Sequence, residues 1–256
     1  MSGVSRNTAS GFILHSYPYR ETSLIVETFT REHGRVAMLA KGAKRPRGAL
    51  RGTLNSFQPL WLEWLGKSDL KTLTRAEQQR IYPQLAGVAL FSAFYLNELL
   101  LKLFHHDDPH QIIFDAYQVA IESLLEASAR FSGNATINQY RRAVATALRQ
   151  FEMVLLTELG YALMLTKEAG TETAILPAAR YVYVLERGPV CIQGEGVAQE
   201  HGLQLHGRTL LDMAVGNYEN ISTQQQAKQL MRFVINHLLG NQVLHTRNLI
   251  QELRNL

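Results

Sequence analysis

Residues 34–48 read Gly-Arg-Val-Ala-Met-Leu-Ala-Lys-Gly-Ala-Lys-Arg-Pro-Arg-Gly, a short apolar run that breaks into a basic segment. Arg35 to Ala40 predicts a strand and the stretch from Gly42 to Gly52 a long turn, because glycine and proline mark where regular pairing stops. Outward from there, Gly11 to Tyr17, Ser23 to Thr30, Phe57 to Leu65 and Leu70 to Glu77 share the strand texture, rich in Phe, Leu, Ile, Val, Thr and Trp. Pro18 to Glu21, His33-Gly34 and Gly66 to Ser68 punctuate them. Five strands in about 75 residues predict a small antiparallel barrel, with an OB-fold leading because that barrel binds oligonucleotides along one face and its loops. Strand counting leaves an SH3-like barrel open as the alternative.

Charge sharpens the reading. Residues 1–80 carry 13 Lys/Arg against 6 Asp/Glu, whereas residues 81–256 are net −3. Residues 33–62 hold no carboxylate and six bases: Arg35, Lys41, Lys44, Arg45, Arg47 and Arg51. Such a local positive field favours an anionic partner such as nucleic acid. Lys67, Lys71 and Arg75 extend the basic set along the expected barrel. Trp61, Trp64 and Phe57 are stacking candidates in an OB-fold, although packing in the barrel core is the stronger expectation for them.

At roughly 150 residues per domain, 256 residues give one large or two modest domains. We place the barrel at 1–80 and a helical domain at 81–256, an α+β multidomain architecture with a small β-hairpin insertion at about 170–196. Leu85 to Phe104 is apolar on nearly every side but contains Asn97, Glu98 and Lys102. Each charge would cost roughly 2.5 to 3.5 kcal/mol at the centre of a bilayer, so a core helix is expected there. A second helix is expected after Asp108-Pro109, with Asp108 as N-cap. A third runs from near Thr136 to Gly160, with Val144, Leu148, Phe151, Leu155 and Leu159 as its apolar stripe. On it Arg142 and Arg149 lie seven residues apart, within about 20° of one another around the axis and away from that stripe. Two such guanidinium groups suit a carboxylate-bearing ligand, though spacing alone favours a solvated face. Arg180 to Leu185 and Val190 to Gln193 predict the hairpin, and helices are expected over Arg208 to Val215, Thr223 to Leu239 and Thr246 to Leu253.

Catalytic chemistry finds no residue set. Cys191 is the single cysteine, so neither an intrachain disulfide nor a Cys-rich zinc cage forms, and a reducing, cytoplasmic compartment is expected. Met1 to Ser10 is polar and lacks the apolar core of a secretory leader. His105, His106, Asp107, Asp108 and His110 crowd potential metal ligands, but crowding on a helix end is not coordination geometry. There is no phosphate-binding Gly-x-x-x-x-Gly-Lys-Ser/Thr loop and no Gly-x-Ser-x-Gly elbow. Gly194-Glu195-Gly196 reads as a turn.

Leu14-His15-Ser16, Glu21-Thr22-Ser23-Leu24, Phe29-Thr30, Gly34-Arg35-Val36 and Ala40-Lys41-Gly42-Ala43-Lys44 together resemble the first half of the OB domain of the RecO family of bacterial recombinational repair proteins. The likeness continues in order through Tyr95 to Leu100, Leu148 to Glu152, Leu159-Gly160-Tyr161 and Thr246-Arg247-Asn248-Leu249. It implies a DNA-binding mediator rather than an enzyme. Such a protein binds single- and double-stranded DNA and anneals strands coated with single-stranded DNA-binding protein (SSB). With RecR it helps RecA load, with RecF a further functional link. No cofactor or metal is implied, and a cytoplasmic, nucleoid-associated location is. Gly34-Arg35 and Ala40 to Lys44 match the family's DNA-binding positions. Leu148-Arg149-Gln150-Phe151-Glu152 matches the helix that receives the acidic, Phe-terminated tail of SSB, with Arg149 as the main cation and Arg142 as helper. Some members carry a four-cysteine zinc site near 170–196; with Cys191 alone, that module is expected to be degenerate and held by packing. An RNA-binding barrel and a metal-dependent hydrolase built on His105 to His110 are the alternative functions.

Overall fold

A computed structural model describes residues 6–130, 137–192 and 202–246. Expectations at Thr136, Gln193, Gly194 to Gly196, and from Arg247 onward lie outside the described residues. Two compact units are present: residues 1–128 with 243–256, and residues 129–242.

In the first unit β1 (Arg6–Tyr19), β2 (Ser23–Thr30), β3 (Gly34–Ala40), β4 (Leu60–Leu65) and β5 (Leu70–Gln78) form a closed barrel in the order β1-β2-β3-β5-β4. Neighbours are antiparallel except β3 and β5, whose parallel pairing (Ala37 opposite Leu70, Leu39 opposite Thr72) closes it in the OB-like manner. Alternate residues point inward, so Ile13, Val26, Val36, Met38, Leu60, Leu62, Trp64 and Leu73 fill the interior. Trp64 packs in the barrel core, as expected; Phe57 is buried against the Phe94 ring (5.0 Å) instead of in that core, and Trp61, on the opposite face of β4, is 40% exposed and is not core.

The register of β1 slips between Ile13 and His15. Ahead of the slip, Phe12 turns outward onto α2 (Gln111–Arg130), meeting Phe114 and Tyr117 at ring separations of 5.6 and 5.2 Å. One of the polar residues that disqualified α1 (Gly87–Leu103) as a membrane span, Asn97, binds it to the barrel. Buried Asn97 accepts from the Tyr117 hydroxyl (2.6 Å) and donates to the Leu14 carbonyl (2.8 Å). No helix among the described residues is long and apolar enough to cross a membrane. α2 starts two residues later than Pro109 would place it, and the Asp108 carboxylate goes to His110 Nε2 at 3.1 Å.

Glu98 holds the returning chain. Its carboxylate accepts from the backbone N–H of His245 (2.7 Å), the N–H of Thr246 (3.0 Å) and the Thr246 hydroxyl (2.6 Å). Burial alone would raise its pKa, but these donors and Lys102 outweigh it and hold the carboxyl below 4.5. A depressed folded-state pKa contributes stability above the unfolded value that is lost as pH falls through the folded one. Glu98→Gln is therefore expected to melt below wild type at pH 7 and to lose less on acidification below pH 4.5. Parallel melting curves across pH 3–7 for the two proteins would refute this.

The second unit contains α3 (Ile137–Glu158), β6 (Arg180–Val184), β7 (Gly188–Cys191), β8 (Leu203–His206), α4 (Gly207–Ala214) and α5 (Ile221–Leu239). The third helix ends as its sequence predicts: Gly160 takes φ +83° while Tyr161 N–H returns to the Leu156 carbonyl at 2.7 Å. Leu148 and Leu159 are only part-buried, and Ala147 and Leu156 share the buried stripe instead. The hairpin gains an unforeseen third strand, β8, on the far side of β6. Its centre is packed around two tyrosines. The buried rings of Tyr181 and Tyr183 place hydroxyl oxygens that accept from the N–H groups of Leu176 (2.8 Å) and Met164 (3.2 Å).

Candidate functional site

After Ala40 the chain enters the loop 41–59, anchored to the barrel by the buried side chains of Ala43 and Leu50. Lys44 N–H donates to the Thr22 carbonyl (2.9 Å), which ties the loop to the β1–β2 turn. Backbone bonds then recur every three residues: Arg45 to Gly42, Gly48 to Arg45, and Arg51 to Gly48, at 2.9 to 3.0 Å. The return is tight enough that a Cβ on Gly48 would stand 2.5 Å from the Gly42 carbonyl oxygen, so glycine is required there. Arg51 closes the loop by donating to the Pro46 carbonyl at 2.8 Å.

This scaffold displays Lys41, Lys44, Arg45, Arg47 and Arg51, all exposed, with no carboxylate between residues 41 and 52. Among the described residues none of the five makes an ion pair. Five like charges on one short ordered loop repel one another, and a polyanion relieves that repulsion. Arg20, exposed in the β1–β2 turn, joins the same end of the barrel. Charge counting missed it because Glu21 follows it directly.

The remaining predicted cations are placed otherwise. Arg35 is drawn into the seam between barrel and helix: Nη1 donates to the carbonyls of Leu101 (2.6 Å) and Phe104 (2.7 Å), and Nη2 pairs with Glu27 at 3.1 Å. It satisfies two carbonyls at the end of α1. Its neighbour Gly34, at φ +66°, lies so close to the Asp108 carbonyl oxygen that a Cβ would stand 1.8 Å away. Gly34-Arg35 is thus a packing corner. Lys71 sits opposite the inward residue Met38, is 7% exposed, and spends its ammonium on Asp107 at 2.9 Å. Unlike the loop cations, both are largely covered, with their charges on internal partners. Lys67 is exposed in the β4–β5 turn, and Arg75 is exposed on β5 beside Glu77 (2.9 Å); neither is on the loop.

The second unit has a cleft of about 730 Å³ walled by Arg142, Ala143 and Thr146 of α3 and by Val215 to Glu219 between α4 and α5. Arg142 is part-exposed on its wall, whereas Arg149 is buried, contrary to the exposed face expected for both. Arg149 Nη2 donates to Glu152 Oε1 (2.7 Å), and its Nε stands 2.6 Å from Oε2. The pair lies close enough to Tyr218, in the cleft wall, to act on it. Burial pushes the Tyr218 hydroxyl up to about 12, with Arg149 opposing and Glu152 reinforcing.

The sequence of this chain matches the family model "Recombination protein O N terminal" over residues 1–82 and "Recombination protein O C terminal" over residues 84–248. The chain belongs to the RecO family. It is similar to proteins named DNA repair protein RecO from Aromatoleum aromaticum (45% identity over 246 residues; 96% of this chain, 95% of the relative) and Nitrosospira multiformis (46% over 245; 96% and 95%). The same name is carried by a relative from Thiobacillus denitrificans, 46% identical over 259 residues and covering 100% of this chain and 96% of its own.

Side chains of the His105–His110 segment pair with residues of the barrel and with one another. His106 Nε2 meets Glu27 (2.9 Å), Asp107 holds Lys71, and His110 meets Asp108. Among the described residues no three His, Cys, Asp or Glu side chains converge as metal ligands. Cys191 is half-buried opposite Tyr181 on the hairpin.

Proposed function

We propose that this RecO-family protein is a DNA repair and recombination mediator, not an enzyme. It binds single- and double-stranded DNA through the loop 41–52 and anneals SSB-coated complementary strands. With RecR it promotes RecA loading, linked in some settings to RecF. The observation that carries the reading is the anchored loop with five exposed cations, none ion-paired among the described residues, on an OB-like barrel of this family. Annealing calls for charge neutralisation and strand juxtaposition rather than bond chemistry, so no cofactor enters. Release of counterions by the loop gives the DNA complex a salt dependence of about −0.7 per phosphate on single strands.

The cleft of the second unit supports docking of the acidic SSB tail, with the roles of the two arginines exchanged. Arg142 meets the tail's carboxylates, while Arg149 positions the wall through Glu152 and Tyr218. The test is annealing of complementary oligonucleotides coated with cognate SSB, without ATP or metal, using intact SSB and SSB lacking its tail. Acceleration that depends on the tail and falls several-fold in Arg142→Ala is the expected result. Binding to bare DNA without action on coated strands would remove the mediator assignment, and a preference for structured RNA would favour an RNA-binding role instead.

A further inference from the structure

The last five residues of β1 carry an aromatic series, His15, Tyr17 and Tyr19, at alternate positions. The register shows where they face. Beyond the slip at Ile13/His15, Ser16 is opposite Val26 and Pro18 opposite Leu24, and Val26 and Leu24 belong to the barrel interior. Tyr17, opposite Ile25, and His15, opposite Glu27, therefore project outward. Ile25 in turn pairs with Leu39 on β3, so Tyr17, Ile25 and Leu39 form one row across three strands. None of the three is fully buried, and Tyr17 is 48% exposed. The His15 ring stands edge-on to Tyr17 at 4.4 Å, and the Arg20 guanidinium lies over the Tyr19 ring at 5.4 Å.

A single exposed tyrosine on a strand needs no explanation. Here, however, an apolar and aromatic row runs up to the most basic segment of the chain. Ala40, the last residue of β3, pairs with Leu24, so Lys41 leaves the sheet at the edge of this face, and Lys44 is bonded to the turn that carries Arg20. The nearby carboxylates do not cancel this field: Glu27 is committed to Arg35 and His106, leaving Glu21 in the turn. The barrel is closed here, so β1–β3 offer no free strand edge for an added strand, and an occupant must be held by side chains.

We infer that the outer face of β1–β2–β3 is a base-stacking platform for single-stranded DNA, with Tyr17 and His15 against the bases and Arg20, Lys41 and Lys44 along the phosphates. The inference rests on the reading that the loop binds DNA, and it adds a strand preference that the loop lacks. Phosphate contacts are available from duplex and single strand alike, whereas base faces are offered only by an unpaired strand. Every base has such a face, so the platform reads no sequence.

Binding of a fluorescent dT20 oligonucleotide, a 20-bp duplex and a 20-unit abasic deoxyribose-phosphate chain, with full-length protein at fixed salt, tests it. Wild type is expected to bind dT20 about tenfold more tightly than the abasic chain. Tyr17→Ala is expected to weaken dT20 about tenfold while leaving the abasic chain and the duplex within about twofold, and Tyr17→Phe to restore dT20 binding. Equal wild-type affinity for dT20 and the abasic chain would overturn the platform without any variant. So would a Tyr17→Ala loss equal on all three probes. If wild type binds none of the probes, the loop reading itself fails, a separate outcome.

Discussion

Arg149→Ala is expected to destabilise the second unit by about 3 to 5 kcal/mol, because it removes a buried cation that stands 2.6 Å from the buried Glu152 carboxylate. For a unit of this size that corresponds to a fall in Tm of roughly 10 to 20 °C. Both side chains are nearly inaccessible, 7% and 1% exposed, so the partner cannot turn to water for compensation. Removing both charges with apolar residues of similar volume, as in Arg149→Met/Glu152→Leu, is expected to recover most of the loss. Thermal melts of the three proteins decide the matter, and an Arg149→Ala melt within a degree or two of wild type would show that the pair is not structural. The consequence for SSB docking is practical. A weakened response in Arg149→Ala mixes folding with recognition, whereas Arg142→Ala, on the cleft wall, reports recognition alone.

The second large effect falls on DNA affinity. Lys44→Ala/Arg47→Ala is expected to weaken single-stranded DNA binding roughly 20-fold near 0.1 M salt and to reduce the salt slope by about 1.4, two phosphate contacts at about 0.7 each. Charge reversal, Lys44→Glu/Arg47→Glu, is expected to weaken binding further. Neither change touches the anchors of the loop, Ala43 and Leu50, so the melting temperature should stay at the wild-type value. Titrations at three salt concentrations measure the slope directly. An unchanged slope would mean that these cations do not contact phosphate, whatever happens to affinity at one salt. The equivalent change at Arg35 is expected to behave differently, lowering stability first, since it strips two carbonyls and Glu27 of their donor.

Those contrasts mark what local sequence conveys and what it hides. The barrel strands were legible because each is a short run of β-branched and aromatic residues bounded by turn chemistry, and both are local properties. β8 was missed because Leu203-Gln204-Leu205-His206 is four residues long and half polar, and gains its identity only from pairing with β6. Asn97 and Glu98 were legible as obstacles to a membrane span. Their partners, Leu14, Tyr117, His245 and Thr246, were not, since those bonds join residues 20 to 148 positions apart.

The site divides in the same way. A run of cations without a carboxylate, interrupted by Gly42, Pro46 and Gly48, is by itself a positively charged turn, and that much of the interface is determined by the sequence. Helical spacing likewise put Arg142 and Arg149 on neighbouring azimuths. Which cation meets solvent is another matter, because charge and spacing are properties of one segment while burial depends on what covers it. Arg35 is covered by the end of α1, Lys71 by its inward register and Asp107, and Arg149 by its pairing with Glu152 near Tyr218. Tyr17 and His15 show the converse. Their alternation was visible in the sequence, but only the register slip in β1 and the closure of the barrel decided that they face outward, beside the basic loop.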